Sequence, residues 1–171
     1  MELLETATII TAYLAPLYIT NACALLFGGK TPLDFDVKID GKPLFGKGKS
    51  IEGTLYGFAA GILAVLAIDA FFNSFTRSFV PDFVFFGALL CAGALAGDIA
   101  ASFIKRRFGI ERGKPVLFLD QLDFVCGGLA FTAWIRIPAI EEVLIMMVIT
   151  LLAHRISNYA AFKFKLKSVP W

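Results

Sequence analysis

The chain has 171 residues, of which 58% are apolar and 18% charged, and its mean hydropathy is +0.75. That balance excludes an ordinary soluble domain and makes a bilayer the expected solvent. A formal charge of +2 is too small for bulk electrostatics to say much, and no nucleic-acid partner is expected.

The apolar residues fall into about five blocks of roughly 18 to 25 residues, each long enough to cross a hydrocarbon core of about 30 Å. The expected fold is an all-α membrane protein, a single integral domain over 1–171, with about five transmembrane helices near 6–27, 53–72, 82–105, 117–135 and 138–159. The first helix follows Glu2 and Glu5 without a basic leader, so it reads as retained, and Pro16 near its middle predicts a kink.

Residues 28–52 form the one long polar stretch. Asp34 to Ile39 alternates polar and apolar, and Asp40-Gly41 is a hairpin turn signal, so a short β-hairpin is expected in this loop. In the second helix Gly53, Gly57 and Gly61 recur on one face and permit close approach of another helix, in the same chain or a second copy. The outer connections are expected to be very short. Cys23, Cys91 and Cys126 lie inside apolar blocks with no metal or disulfide spacing and read as packing residues.

Basic residues concentrate in alternate loops. Lys30, Lys38, Lys42, Lys47 and Lys49 follow the first helix, Lys105, Arg106, Arg107, Arg112 and Lys114 the third, and Arg155, Lys163, Lys165 and Lys167 the fifth. By the positive-inside rule the N-terminus lies outside, and the long loops and the C-terminus lie in the cytoplasm.

Carboxylates near that cytoplasmic face carry the chemical signal. Asp98 shares a helical face with Ser102 and Lys105, and Asp120 and Asp123 project together from the start of the fourth helix. Pairing of Asp98 with Lys105, and capping of the helix by Asp120, would explain them structurally. Taken together, three carboxylates at one depth favour Mg²⁺ or Mn²⁺, since the ligands are hard oxygens and thiolates are absent. Lys105, Arg106, Arg107, Arg112 and Lys114 stand around the acids, although a plain positive-inside flank accounts for them individually. Gly46-Lys47-Gly48-Lys49-Ser50 reads either as a phosphate nest or as a flexible basic loop; it lacks the spacing of a Walker A motif.

A metal-ready acid cluster ringed by cations suits phosphoryl or nucleotidyl transfer. His154, the single histidine, reads as interfacial, and Asp69, Glu141 and Glu142 lie at the other end. Asn21 and Gln121 are candidate amide partners for a base.

Gly97-Asp98, Ser102-Phe103-Ile104-Lys105-Arg106-Arg107, Gly109, Gly113 and Asp120-Gln121-Leu122-Asp123 resemble the signature of the archaeal CDP-archaeol synthases. They are also similar to the Ser-x-x-Lys-Arg and Asp-x-x-Asp skeleton of CDP-diacylglycerol synthases. The His-Gly-Gly before the paired aspartates of the latter is absent here, which favours the archaeal branch. The resemblance implies transfer of CMP from CTP to a glycerol phosphate bearing geranylgeranyl ether chains, giving a CDP-lipid and pyrophosphate with Mg²⁺. It implies that Asp98, Asp120 and Asp123 are metal ligands, that Lys105 and Arg106 bind phosphate, and that Ser102 is a polar contact. Lys47, Lys49, Arg107, Arg112 and Lys114 are added as substrate-binding cations from their placement. The alternatives are a CDP-diacylglycerol synthase acting on phosphatidic acid, a small cation channel or transporter, and a bundle whose charges serve only topology.

Overall fold

The computed structural model describes residues 2–163. In chain order these form α1 (Glu2–Leu26), β1 (Lys38–Ile39), β2 (Lys42–Pro43), α2 (Ile51–Phe71), α3 (Asn73–Phe79), α4 (Phe83–Arg107), α5 (Leu119–Thr132) and α6 (Ile140–Lys163). Lys165 and Lys167 of the expected basic tail lie outside the described residues.

The helical class holds, with a minimal sheet attached, and three of the five expected spans are matched by helices of the required length and apolarity. Three helices are long and apolar enough to cross a bilayer, at Leu3–Leu26, Ile51–Phe71 and Phe83–Arg107, among the described residues. The expected helix at 117–135 shortens to the 14 residues of α5, about 21 Å at 1.5 Å per residue. The chain before it is occupied by a turn in which the Asp120 amide donates to the Val116 carbonyl, and Phe118 takes a left-handed φ of 65°. The connection expected to be short after α2 instead folds as α3. Thr76 of α3 is fully buried and donates its hydroxyl to Asp69 Oδ1 at 2.6 Å, which ties this helix back to α2.

Glycine decides which helices touch. A Cβ on Gly57 of α2 would stand 2.7 Å from both the Thr20 carbonyl oxygen and the Ala24 Cβ of α1, and one on Gly61 would overlap the Thr20 hydroxyl and crowd Cys91 Sγ at 2.6 Å. The repeated glycine face is therefore consumed inside the chain, between α1 and α4. A second set joins α4 to α5: a Cβ on Gly93 would stand 2.8 Å from the Gly128 Cα, and one on Gly127 would stand 2.8 Å from the Gly97 Cα. Small residues of this kind let backbones approach where lipid offers no hydrophobic drive for association.

At the end where α4 begins, Tyr13, Phe79, Phe83 and Phe86 form an aromatic cluster, with Tyr13 edge-on to Phe86 at 5.3 Å between centroids. The Arg136 guanidinium lies 4.3 Å from the Phe79 ring centroid. A cavity of about 210 Å³ lined by Asp69, Asn73, Thr76, Arg77 and Asp82 opens at this end, but the three carboxylates Asp98, Asp120 and Asp123 and the cations around them collect at the other.

The hairpin forms where the turn signal places it. Lys38 pairs with Pro43 and Ile39 with Lys42, while Asp40 and Gly41 take φ of 52° and 75°, the left-handed pair that a two-residue turn requires. A bridge between Pro32 and Ser50 closes the base of the loop.

Candidate active site

Four segments converge at the end of the bundle where α4 finishes: the loop 46–50, the last turns of α4, the loop 108–118 and the first turn of α5. Ser50 anchors the first. It caps α2 by accepting from the Gly53 amide at 3.1 Å and accepts from the Gly29 amide at 2.8 Å, which sets the direction of the residues before it. Asp34, buried in the hairpin loop, accepts from the amides of Phe45 and Gly46 at 2.8 Å each and from Asp36 at 3.1 Å. Burial pushes the Asp34 carboxyl up, but these amide hydrogen bonds outweigh it and hold the group below the usual carboxylate range.

Two ion pairs organise the acids. Lys49 Nζ is paired with Asp98, each side chain about one-fifth exposed. Lys105 Nζ donates to both oxygens of Asp120, at 2.9 and 2.8 Å, and to the Lys114 carbonyl at 2.8 Å, so all three of its protons are placed. Asp120 Oδ2 also accepts from the Val116 amide at 2.9 Å. Lys105 and Asp120 thus join the end of α4, the following loop and the start of α5. Neither structural alternative takes the form expected from sequence, because Asp98 pairs with Lys49 in place of Lys105, and Asp120 reaches back to Val116 without capping its own helix.

Asp123 is held beside Asp98 by the glycine contact. A Cβ on Gly97 would overlap the Asp123 carbonyl oxygen, so the residue before Asp98 lies directly against the backbone of Asp123. The Asp123 carboxylate accepts from the Phe124 amide at 2.7 Å and lies within electrostatic range of Asp98, Lys49 and Asp120.

Two cavities open here. The inner one, of about 180 Å³, is lined by Lys49, Asp98 and Asp120 with Asn21 of α1 and His154 of α6. The larger, of about 420 Å³, is lined by Lys42, Lys47, Arg106, Arg112 and the backbone around Gly109. The loop 46–50 serves both: Gly46 and Lys47 face the larger, Gly48, Lys49 and Ser50 the inner.

The remaining predicted residues take other positions. Arg107 donates to the carbonyls of Ile39, Lys42 and Pro43 at 2.9, 3.2 and 2.6 Å, while Lys42 donates back to the Arg107 carbonyl at 2.9 Å. Arg106 donates to the carbonyls of Phe45 and Ile110 from the wall of the larger cavity. Ser102 is half-buried on α4 and lines neither cavity. Lys114 pairs with Glu111 at 3.2 Å on an exposed surface. His154, read from sequence as interfacial, is a cavity residue, and its ring centroid lies 6.2 Å from that of Phe124. Only the packing of α6 against α1 and α5 could have revealed this.

No three His, Cys, Asp or Glu side chains converge as a metal cage among the described residues. The donor chemistry nonetheless fits a hard divalent cation. Mg²⁺ is usually held by one or two carboxylates, with waters and substrate phosphates completing its shell. Asp98 and Asp123, within electrostatic range of each other, are two carboxylates of this kind, and Asp98 already carries an ammonium partner in Lys49.

The family model described as CarS-like, CDP-archaeol synthase, matches residues 3–171. The CDP-archaeol synthase of Methanocaldococcus jannaschii is 41% identical over 166 residues, covering 93% of this chain and 94% of its own length. That of Aeropyrum pernix is 44% identical over 163 residues, covering 91% and 87%. A solved structure described as an intramembrane enzyme for archaeal membrane lipid biosynthesis superposes with a TM-score of 0.79 at 38% identity, covering 86% of this chain and 91% of that one. With matches that span nearly its whole length, this chain belongs to the CDP-archaeol synthase family.

Proposed function

We infer that this chain transfers CMP from CTP to a lipid phosphate in the membrane, forming CDP-archaeol and pyrophosphate; family membership carries the reaction. The observation that supports locating it here is the loop 46–50, which presents Lys47 to a basic cavity open enough for a nucleotide and Lys49 to an acid-lined cavity inside the bundle.

A phosphate oxygen of the lipid attacks the α-phosphorus of CTP, and the bond to the departing pyrophosphate breaks. The nucleophile needs no general base, because a phosphate monoester with a second pKa near 6 is already largely dianionic at neutral pH. The protein's work is therefore positioning and charge neutralisation. Lys47, Arg106 and Arg112 line the cavity where the triphosphate would lie, and Lys49 reaches from the same loop toward the reacting phosphates. Lys105 holds Asp120, and with it the first turn of α5, so that Asp123 stays beside Asp98. Asp98 and Asp123 would hold Mg²⁺, or Mn²⁺ in its place, while Asp120, expected as a third ligand, is engaged by Lys105 through both of its oxygens. A bound divalent ion would supply charge neutralisation between nucleophile and nucleotide.

The lipid is proposed to carry geranylgeranyl ether chains, and the site to face the cytoplasm, since the basic loops collect at this end. α5 and α6 would complete a five-helix membrane unit, with α5 spanning as part of the bundle.

The test is pyrophosphate release by purified protein in detergent with CTP, Mg²⁺ and either geranylgeranylated glycerol phosphate or phosphatidic acid. Turnover is expected with the ether lipid, lost in EDTA, restored by Mg²⁺, and lower by at least about 100-fold in Asp123→Asn. Turnover indifferent to EDTA would remove the metal assignment. Absence of turnover with both lipids, in folded protein, would remove the reaction.

A further inference from the structure

Lys49 and Lys105 both neutralise an aspartate of the site, yet the two pairs are built differently. Lys105 is buried and donates to three acceptors on two segments. Lys49 has one acceptor, the Asp98 carboxylate, and its side chain is about one-fifth exposed. Its backbone is fixed, because its amide donates to the Gly46 carbonyl at 3.2 Å and its carbonyl accepts from the Leu33 amide at 2.8 Å. Its side chain hangs from that fixed point into the inner cavity on a flexible four-carbon stem.

We propose that Lys49 is an exchangeable counter-ion: its ammonium is the partner of the Asp98 carboxylate, and a divalent ion arriving with the nucleotide displaces it onto a phosphate oxygen. This rests on the metal reading given above. Without such a placeholder, the Asp98 charge would stand uncompensated in a partly desolvated cavity, within electrostatic range of Asp123, which is costly. With it, a divalent ion alone must compete against a paired ammonium. A divalent ion bound to CTP offers the released ammonium a new anion, so metal and nucleotide enter together. Lys49 is thus a positioning residue that couples the two ligands, and the coupling is reciprocal. Lys105, saturated and buried, stays where it is. Charges balance in the exchange: one carboxylate passes from an ammonium to the divalent ion, and the ammonium passes to the phosphate.

The experiment is Mn²⁺ binding to the full chain in detergent without nucleotide, by electron paramagnetic resonance, for wild type, Lys49→Met and Lys47→Met. Lys47 is on the same loop and its loss changes the net charge equally, but it faces the other cavity. Lys49→Met is expected to bind Mn²⁺ about tenfold more tightly than wild type, the scale of a partly buried ion pair, and Lys47→Met within about twofold of wild type. Lys49→Gln, which keeps much of the stem, is expected to match Lys49→Met. With CTP added, the gain in Mn²⁺ affinity should be large in wild type and reduced in both Lys49 variants. Equal Mn²⁺ affinity in wild type and the Lys49 variants, or the same gain from Lys47→Met, would overturn the exchange and leave the metal site standing. If none of the proteins binds Mn²⁺ even with CTP, the metal reading itself fails and the exchange with it.

Discussion

Gly97 of α4 lies against the peptide of Asp123 on α5: a methyl group at position 97 would overlap the Asp123 carbonyl oxygen and come within 2.9 Å of its carbon and 3.1 Å of the Gly127 Cα. The spacing of Asp98 from Asp123 is therefore set by the absence of one side chain.

Gly97→Ala should separate α4 from α5 at this point. No flexible side-chain end is available to yield, because the obstruction is backbone, and overpacking of this kind costs about 1–3 kcal/mol. The expected result is a thermal midpoint lower by several degrees and turnover lower by at least about tenfold, as a shift near 1 Å in catalytic groups can exact about 100-fold. Turnover and melting measured on the same detergent preparation check this. A variant that matched wild type in both would show that the α4 and α5 contact does not set the site.

The Arg107 side chain is surrounded by the carbonyls of Ile39, Lys42 and Pro43, so it fastens the hairpin to the end of α4. Arg107→Ala is expected to speed protease cleavage between residues 36 and 46 by roughly tenfold, in line with the loss of hydrogen bonds to a charged donor. Arg107→Lys should rescue little, since one ammonium cannot reproduce the planar fork across three carbonyls. Direct phosphate binding by Arg107 would give another pattern, a raised KM for CTP with cleavage unchanged.

Much of this was legible in the chain. The turn at Asp40-Gly41, the apolar lengths of α1, α2 and α4, the glycine face of α2 and the acids at the α4 and α5 junction are local signals, fixed by backbone preference or helical period. What stayed hidden depends on partners distant in sequence. Lys49 meets Asp98 across 49 residues and Lys105 meets Asp120 across 15, and nothing in a basic run says which cation takes which carboxylate. For the same reason Arg106, Arg107 and Lys105 read alike in sequence and do three different things: one walls a cavity, one binds a hairpin and one braces a helix start. The short α3 escaped notice because its main tie, Thr76 to Asp69, is a side-chain bond between two helices. The true extent of α5 was masked because residues 116–118 are apolar yet sit in a turn.

Asp34 supplies a pH dependence that can be followed at single amides. Its carboxylate gathers the amides of Phe45, Gly46 and Asp36, and so fixes the chain just before Lys47 and Lys49. Its folded pKa is depressed, so its contribution is present in full above the unfolded carboxylate value of about 4 and is lost as the pH falls through the lower folded value. From pH 5 to 8 the loop should be equally ordered. Below about pH 4 the Phe45 and Gly46 amides should lose protection from hydrogen exchange, after correction for the intrinsic rate, as protonation weakens their acceptor. Asp34→Asn keeps an oxygen acceptor but removes the charge. It should show weakened protection of both amides already at pH 7, by about tenfold, with no further step on acidification. A raised KM for CTP in that variant would follow, since the loop that carries Lys47 and Lys49 starts from this bracket. Protection of Phe45 and Gly46 that is the same in wild type and Asp34→Asn at pH 7 would show that the hairpin and the Ser50 cap hold the loop without it.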